Sequence, residues 1–481
     1  MTRPAASSVD GVPAPRTLRR AMDARHLVMI ALGGVIGSGL FLSSGYTIHQ
    51  AGPLGAVLAY LLGAFVVWLV MVCLGELAVV YPVSGSIHIY AARTMGPATG
   101  FATAWLYWLC WVVALGSEFT ASGILMQRWF PDVEVWVWCI VFAGVLFTLN
   151  AISARVFGET EFWFALIKVV AIVALIVLGT MAIFGLTPLS PEPHQAVGLS
   201  NFATPEGLLP AGLGGVLITS LAVFYAFSGA ELVGVAAGET KDPSRNIPRA
   251  LRSTVLRLLI LFVGSIIVIA ALLPYEQAGL SSSPFVDVFE YVGVPYAADV
   301  MNFVVITALL SVGNSGLYSC ARMLFSLAEE GYAPRAFTKL TRRGIPMLAL
   351  LVSLAVGLVS LVTSVVAAET VYIVLVSIAG FAAVAVWMAI VAAQFFHRRQ
   401  FLRNGGDLST LAFRTPFYPL VPILAFVLLT ASIVAIAFDP NQAPALYFGI
   451  PFVGLCYLVF WVLYGRKGIT PARRDEEAPV G

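Results

Sequence analysis

The chain has 481 residues, 59% of them hydrophobic and 11% charged, with a formal net charge of +2. Soluble domains carry roughly 25% charged residues, so a water-soluble globule is excluded, and so small a net charge gives no footing for nucleic acid. The glycines and prolines form no repeat, and Cys73, Cys110, Cys139, Cys320 and Cys456 lie in apolar runs without CxxC spacing, which removes fibrous, disulfide-framework and zinc-site classes.

The first 25 residues are polar and hold no apolar core of signal-peptide length, which predicts a cytosolic tail over 1–25. Twelve apolar runs near the roughly 20 residues a bilayer requires follow, at about 27–46, 54–80, 98–127, 133–152, 161–184, 211–235, 251–273, 297–327, 346–366, 370–395, 417–437 and 445–464. They lack the alternation of a membrane barrel, and backbone groups in lipid must be satisfied within a helix, so the expectation is an all-α polytopic membrane protein with twelve transmembrane helices over 26–465. A second cytosolic tail is expected over 466–481. Of the 27 Lys and Arg, 25 then fall in cytoplasmic segments or at cytoplasmic helix ends, leaving Arg128 outside and Lys168 inside the fifth run. That bias predicts both termini on the cytoplasmic side of the cell membrane. The segments on the other face carry ten acids, which either steer cations inward or reflect the avoidance of Lys and Arg in exported loops.

The first run contains Gly33-Gly34-Val35-Ile36-Gly37-Ser38-Gly39 at mid-membrane, and the sixth, five runs later, contains Phe227-Ser228-Gly229-Ala230-Glu231 at comparable depth. Interrupted helices at equivalent places in two halves predict a five-plus-five inverted repeat, over 27–184 and 211–395, with the last two helices outside it. A nucleotide-binding reading of the glycine run fails because no strand precedes it. Glycine instead allows unwinding, which exposes amides and carbonyls beside a ligand. Amides of the outer half-helix suit a carboxylate and carbonyls of the inner half an ammonium, the two charges of an α-amino acid. The alternative is close packing of small residues between helices.

Four ionisable residues fall inside runs: Glu76, Glu118, Lys168 and Glu231. A charge at the helix centre costs about 2.5–3.5 kcal/mol on insertion scales, so each is a functional candidate. Glu231 is placed to meet the substrate ammonium, take a coupling proton or cap the broken sixth helix. Lys168 is placed to exchange a proton or to tie carbonyls of the broken first helix. Glu118 is placed to meet a cationic side chain, and Glu76, near the cytoplasmic end of its helix, to serve packing or gating. No metal-ligand spacing involves the five histidines, and no GxxxxGK[ST] is present, so no cofactor is expected and ATP-driven transport would need a separate subunit.

In this order the motifs Gly34-Val35-Ile36-Gly37-Ser38-Gly39-Leu40-Phe41, Leu74-Gly75-Glu76-Leu77, Phe157-Gly158-Glu159 with Glu161-Phe162-Trp163-Phe164, Gly229-Ala230-Glu231-Leu232, Gly238-Glu239-Thr240 and Asn314-Ser315-Gly316 resemble an amino acid permease of the amino acid-polyamine-organocation superfamily. The resemblance implies a secondary transporter, not an enzyme, with an amino acid substrate, the lipid bilayer as its surroundings and no obligatory protein partner. It implies that Ser38 and Gly39 hold the substrate carboxylate, beside the amide that Gly37 offers in the same break, that carbonyls of Val35, Tyr225 and Ser228 hold its ammonium, and that an aromatic among Phe224, Tyr225 and Phe227 gates the site. It places Glu118 and Asn314 at side-chain-facing positions, and Lys168 where proton-coupled members carry a lysine in place of sodium; Glu231 is the second candidate for proton coupling. The chain is most similar in look to permeases for arginine and ornithine and for S-methylmethionine, which implies import of a cationic amino acid by proton symport. Permeases for aromatic amino acids also carry an acid at the Glu118 place, so a neutral or aromatic substrate, or a sensor that binds without transport, is the alternative.

Overall fold

The computed structural model describes residues 24–83, 87–152, 154–186, 196, 198–235, 237, 240–279, 282–293, 296–364 and 368–465. Most of the two expected tails and the Gly238-Glu239 pair lie outside these residues, as do the side chains of Phe157, Glu159, Glu161 and Phe162. The secondary structure is helical, with one isolated bridge between Thr204 and Gly207 and no strand among the described residues.

Where the first run was expected, the chain forms three pieces, α1 (Ala24–Val35), α2 (Ser38–Phe41) and α3 (Ser43–Ala51). The following helices are α4 (Pro53–Val80), α5 (Ile87–Met95), α6 (Pro97–Met126), α7 (Val135–Ile152) and α8 (Ala154–Ile183). The sixth run is again divided, into α9 (Gly212–Phe227) and α10 (Leu232–Val235). Then come α11 (Pro243–Leu272), α12 (Pro284–Val292), α13 (Ala297–Glu329), α14 (Met347–Ser364), α15 (Ala368–Arg403), α16 (Leu420–Ala435) and α17 (Pro444–Leu463). Proline opens α4, α6, α11, α12 and α17, where its missing N–H would have no intrahelical partner.

Nine helical segments among the described residues, counting α9 and α10 as one, are long and apolar enough to cross a membrane, and α7 and α14 hold shorter apolar stretches. Helix ends differ from the apolar runs where a helix outlasts its lipid-compatible part. Thus α11 starts eight residues before its run, burying Ile247 and Ala250 while Arg245, Arg249 and Arg252 are exposed. The nine-residue α5 and α12 escape a search tuned to bilayer length. Packed among α13, α14 and α15, α6 buries most of its length, whereas α16 and α17 expose Phe426, Val427, Leu455 and Trp461 at the periphery.

One polar knot fastens α4 to α15. The fully buried Glu76 carboxylate accepts from Arg398 through Nε at 2.8 Å and through Nη2, from Gln394 Nε2 at 3.1 Å and from the Thr415 amide at 2.7 Å. A buried charge left without its partner is far costlier than either group removed with it. Arg398→Ala is therefore expected to destabilise the protein by about 3–5 kcal/mol, read as a lower melting temperature in detergent, with Glu76→Gln in the same chain restoring part of the loss. Equal melting temperatures for Arg398→Ala and the wild type would show that the pair does not hold these helices.

Candidate functional site

The site is built where the two interrupted helices cross. At the end of α1 the amide of Ile36 closes the last regular bond, to Leu32. Gly37 then turns to an extended conformation (φ −144°, ψ −150°), and the Gly33 carbonyl accepts from Lys168 Nζ at 2.7 Å. Lys168, on α8, is fully buried. The second interruption runs from Ser228 to Glu231, with Gly229 at φ +102°, a conformation that suits glycine. Glu231 bends back so that its two carboxylate oxygens accept the Gly229 amide at 3.2 and 3.0 Å, while Trp387 Nε1 donates to it at 3.2 Å. Of the three roles open to it from sequence, the geometry displays the cap.

Small residues bring the two backbones into contact. A Cβ added at Gly39 would stand 2.5 Å from Ala226 Cα, and one at Gly229 would stand 2.8 Å from the Gly34 carbonyl oxygen. Beside these contacts lies a small cavity, with room for little more than a water molecule. The first break contributes Gly34, Val35 and Gly39 to its wall; α6 contributes Cys110, Trp111, Ala114 and Glu118; the second break contributes Tyr225 and Ser228, and α13 contributes Val312.

The most connected group in that wall is Glu118, whose side chain is 2% exposed. The Ser38 amide donates to both of its carboxylate oxygens at 3.2 Å, and the Ser38 hydroxyl donates at 2.9 Å. The Tyr225 hydroxyl reaches the same carboxylate at 3.3 Å and lies 2.6 Å from Ser117 Oγ. On the far side of Ser38, the Tyr372 hydroxyl donates to its carbonyl at 2.9 Å and lies 2.8 Å from Ser43 Oγ.

The structure thus brings together Val35, Gly37, Ser38, Gly39, Glu118, Tyr225 and Ser228. It places Asn314 elsewhere, with its Oδ1 accepting from Asn150 Nδ2 at 2.7 Å on α7. Phe227 packs on Phe262, ring centroids 4.8 Å apart, and Phe224 on Trp387 at 6.1 Å; neither is in the cavity wall. Lys168 and Glu231 flank the breaks from behind. Ser117, Tyr372, Trp387 and the wall residues Cys110, Trp111, Ala114 and Val312 were not singled out from sequence, because a serine or an aromatic in an apolar helix carries no periodic mark of its neighbours. Arg128, alone in the segments read as external, holds Asp299 at 2.8 Å and Glu290 at 3.1 Å, so two of the ten acids there are paired and not left to attract cations.

A helical, multi-pass membrane protein whose two interrupted helices enclose a small, partly backbone-lined cavity has the build of a transporter for small solutes. The comparison with known proteins gives the family. The family model described as amino acid permease matches residues 26–470, and the chain belongs to the amino acid permease family. It is similar to a putative histidine permease of Bacillus subtilis (strain 168), 52% identical over 465 residues, covering 96% of this chain and 97% of the relative. Amino-acid permease RocE of the same organism is 52% identical over 450 residues, covering 94% and 96%. The lysine-specific permease LysP of Escherichia coli (strain K12) is 40% identical over 463 residues, covering 93% of each chain.

Proposed function

We propose that this permease is a secondary active transporter that imports an α-amino acid with a positively charged side chain by proton symport. In this reading twelve helices span the membrane, ten of them as a five-plus-five inverted repeat, with both termini cytoplasmic. The observation that carries it is the convergence of donors and acceptors at the crossing of the two breaks. Ser38 and Gly39 offer amides to the carboxylate, while carbonyls of Val35, Tyr225 and Ser228 offer acceptors to the ammonium. Glu118, in the same wall, has no basic side chain in ion-pair contact among the described residues, which supports a cationic guest. The names of two relatives, one lysine-specific and one a putative histidine permease, support the same direction. Coupling is assigned to Lys168, with Glu231 as second candidate, because each is buried against one of the breaks.

The test is uptake of labelled arginine, ornithine, lysine, histidine, S-methylmethionine and phenylalanine into proteoliposomes, with and without an inward proton gradient. Accumulation of a basic amino acid that collapses without the gradient is the expected result. Preference for phenylalanine overturns the cationic assignment, and gradient-independent accumulation overturns symport.

Recognition of the carboxylate has its own test. An α-amino amide, which lacks the anion, is expected to compete about tenfold worse than the parent amino acid, the cost of one charge-assisted hydrogen bond. Equal competition would remove the assignment of Ser38 and Gly39.

A further inference from the structure

Three donors beside the cavity already hold a carboxylate, and it belongs to the protein. The Ser38 amide and hydroxyl and the Tyr225 hydroxyl all meet Glu118. The chain makes room for it there by leaving out a side chain: a Cβ at Gly37 would stand 2.8 Å from Glu118 Oε1 and 2.9 Å from Val312 Cγ2. If Ser38 receives the α-carboxylate of the substrate, the reading on which this inference rests, two carboxylates claim the same donors. Each N–H or O–H has one hydrogen to give, and two negative charges at that separation repel strongly away from water. The buried Lys168 ammonium donates to the Gly33 carbonyl and acts on Glu118 through space, while the groups that hydrogen-bond to Glu118 are neutral donors.

We infer that Glu118 is the resting occupant of the place that the substrate carboxylate takes, and that the substrate binds by displacing it. The released carboxylate stays in the cavity wall and turns to the cation that the substrate carries. A basic amino acid supplies that partner through its side chain. A neutral one supplies only its ammonium, which the carbonyls of the breaks also claim, so displacement leaves Glu118 poorly compensated. Selectivity for basic substrates then comes as much from self-occupancy as from attraction, since a competitor already on the site lowers the fraction able to bind.

Equilibrium binding to the purified full chain in lipid nanodiscs tests this, with arginine, its neutral isostere citrulline and its α-amide argininamide. In Glu118→Gln, and in Glu118→Ala as a second way of removing the charge, citrulline is expected to bind about threefold tighter or more, because the competent fraction is no longer reduced. Arginine is expected to bind about tenfold weaker in both, having lost a short-range charge partner. Citrulline binding that is unchanged or weaker in both variants overturns displacement; if argininamide still binds far worse than arginine in the wild type, the carboxylate reading survives it. Argininamide binding as well as arginine in the wild type overturns the carboxylate reading, and displacement falls with it.

Discussion

Lys168→Ala is expected to reduce proton-driven accumulation in proteoliposomes to the level of liposomes without protein. The ammonium is fully buried, 2.7 Å from a carbonyl that the break in the first helix has released from regular helical bonding. Removing it strips that carbonyl of a charge-assisted hydrogen bond and takes a titratable amine out of a dry helix junction. Measuring binding and accumulation together separates the two roles. Retained equilibrium binding with lost accumulation assigns Lys168 to coupling, whereas loss of both makes it the tie that shapes the break. Wild-type accumulation with unchanged pH dependence would remove it from either role.

The second large effect is expected at the crossing of the interrupted helices. Gly39→Val and Gly229→Ala are each expected to abolish both binding and uptake and to lower the melting temperature in detergent. At Gly39 the new Cβ meets the backbone of Ala226, at 2.5 Å from Cα and 3.0 Å from N, and backbone cannot swing aside as a side-chain tip does. At Gly229 the Cβ meets the Gly34 carbonyl at 2.8 Å and the positive φ adds strain. Overpacking of this kind costs about 1–3 kcal/mol or more. Gly144→Ala and Gly454→Ala are the controls, since a Cβ at either meets nothing within 4 Å, and both are expected to transport as the wild type does. Wild-type uptake by Gly39→Val would show that the close approach is dispensable.

Much of this architecture is legible from residue order. Apolar length locates the helices, and paired glycine-containing interruptions locate the crossing, because unwinding within lipid needs both a permissive residue and a protected neighbourhood. Glu118, Lys168 and Glu231 stand out for the same reason: an ionisable group in an apolar run is costly wherever it points. What each one touches is not legible. From sequence, Glu118 was directed at a substrate cation, yet its carboxylate is held by Ser38, 80 residues away in the chain. Likewise, residue order marks Gly39 as part of the carboxylate site, but not that its Cβ direction leads into the backbone of Ala226. The link between Asn314 and Asn150 and the one between Trp387 and Glu231 are equally long-range, and hydropathy has no register that pairs residues on distant helices.

The wall of the cavity is made of two kinds of material. Around the breaks, its walls are main-chain groups held so close that side chains have no space, and peptide groups are the same whatever the residue. Against the breaks stand Cys110, Trp111, Ala114 and Val312, side chains on the continuous helices α6 and α13. Substitution at Ala114 reshapes the chamber from α6, a helix with no break of its own. If the breaks hold the α-amino and carboxyl groups as proposed, one scaffold can keep a fixed grip on the part common to all α-amino acids while its repertoire of tails is rewritten from neighbouring helices, by changes as small as a methyl group.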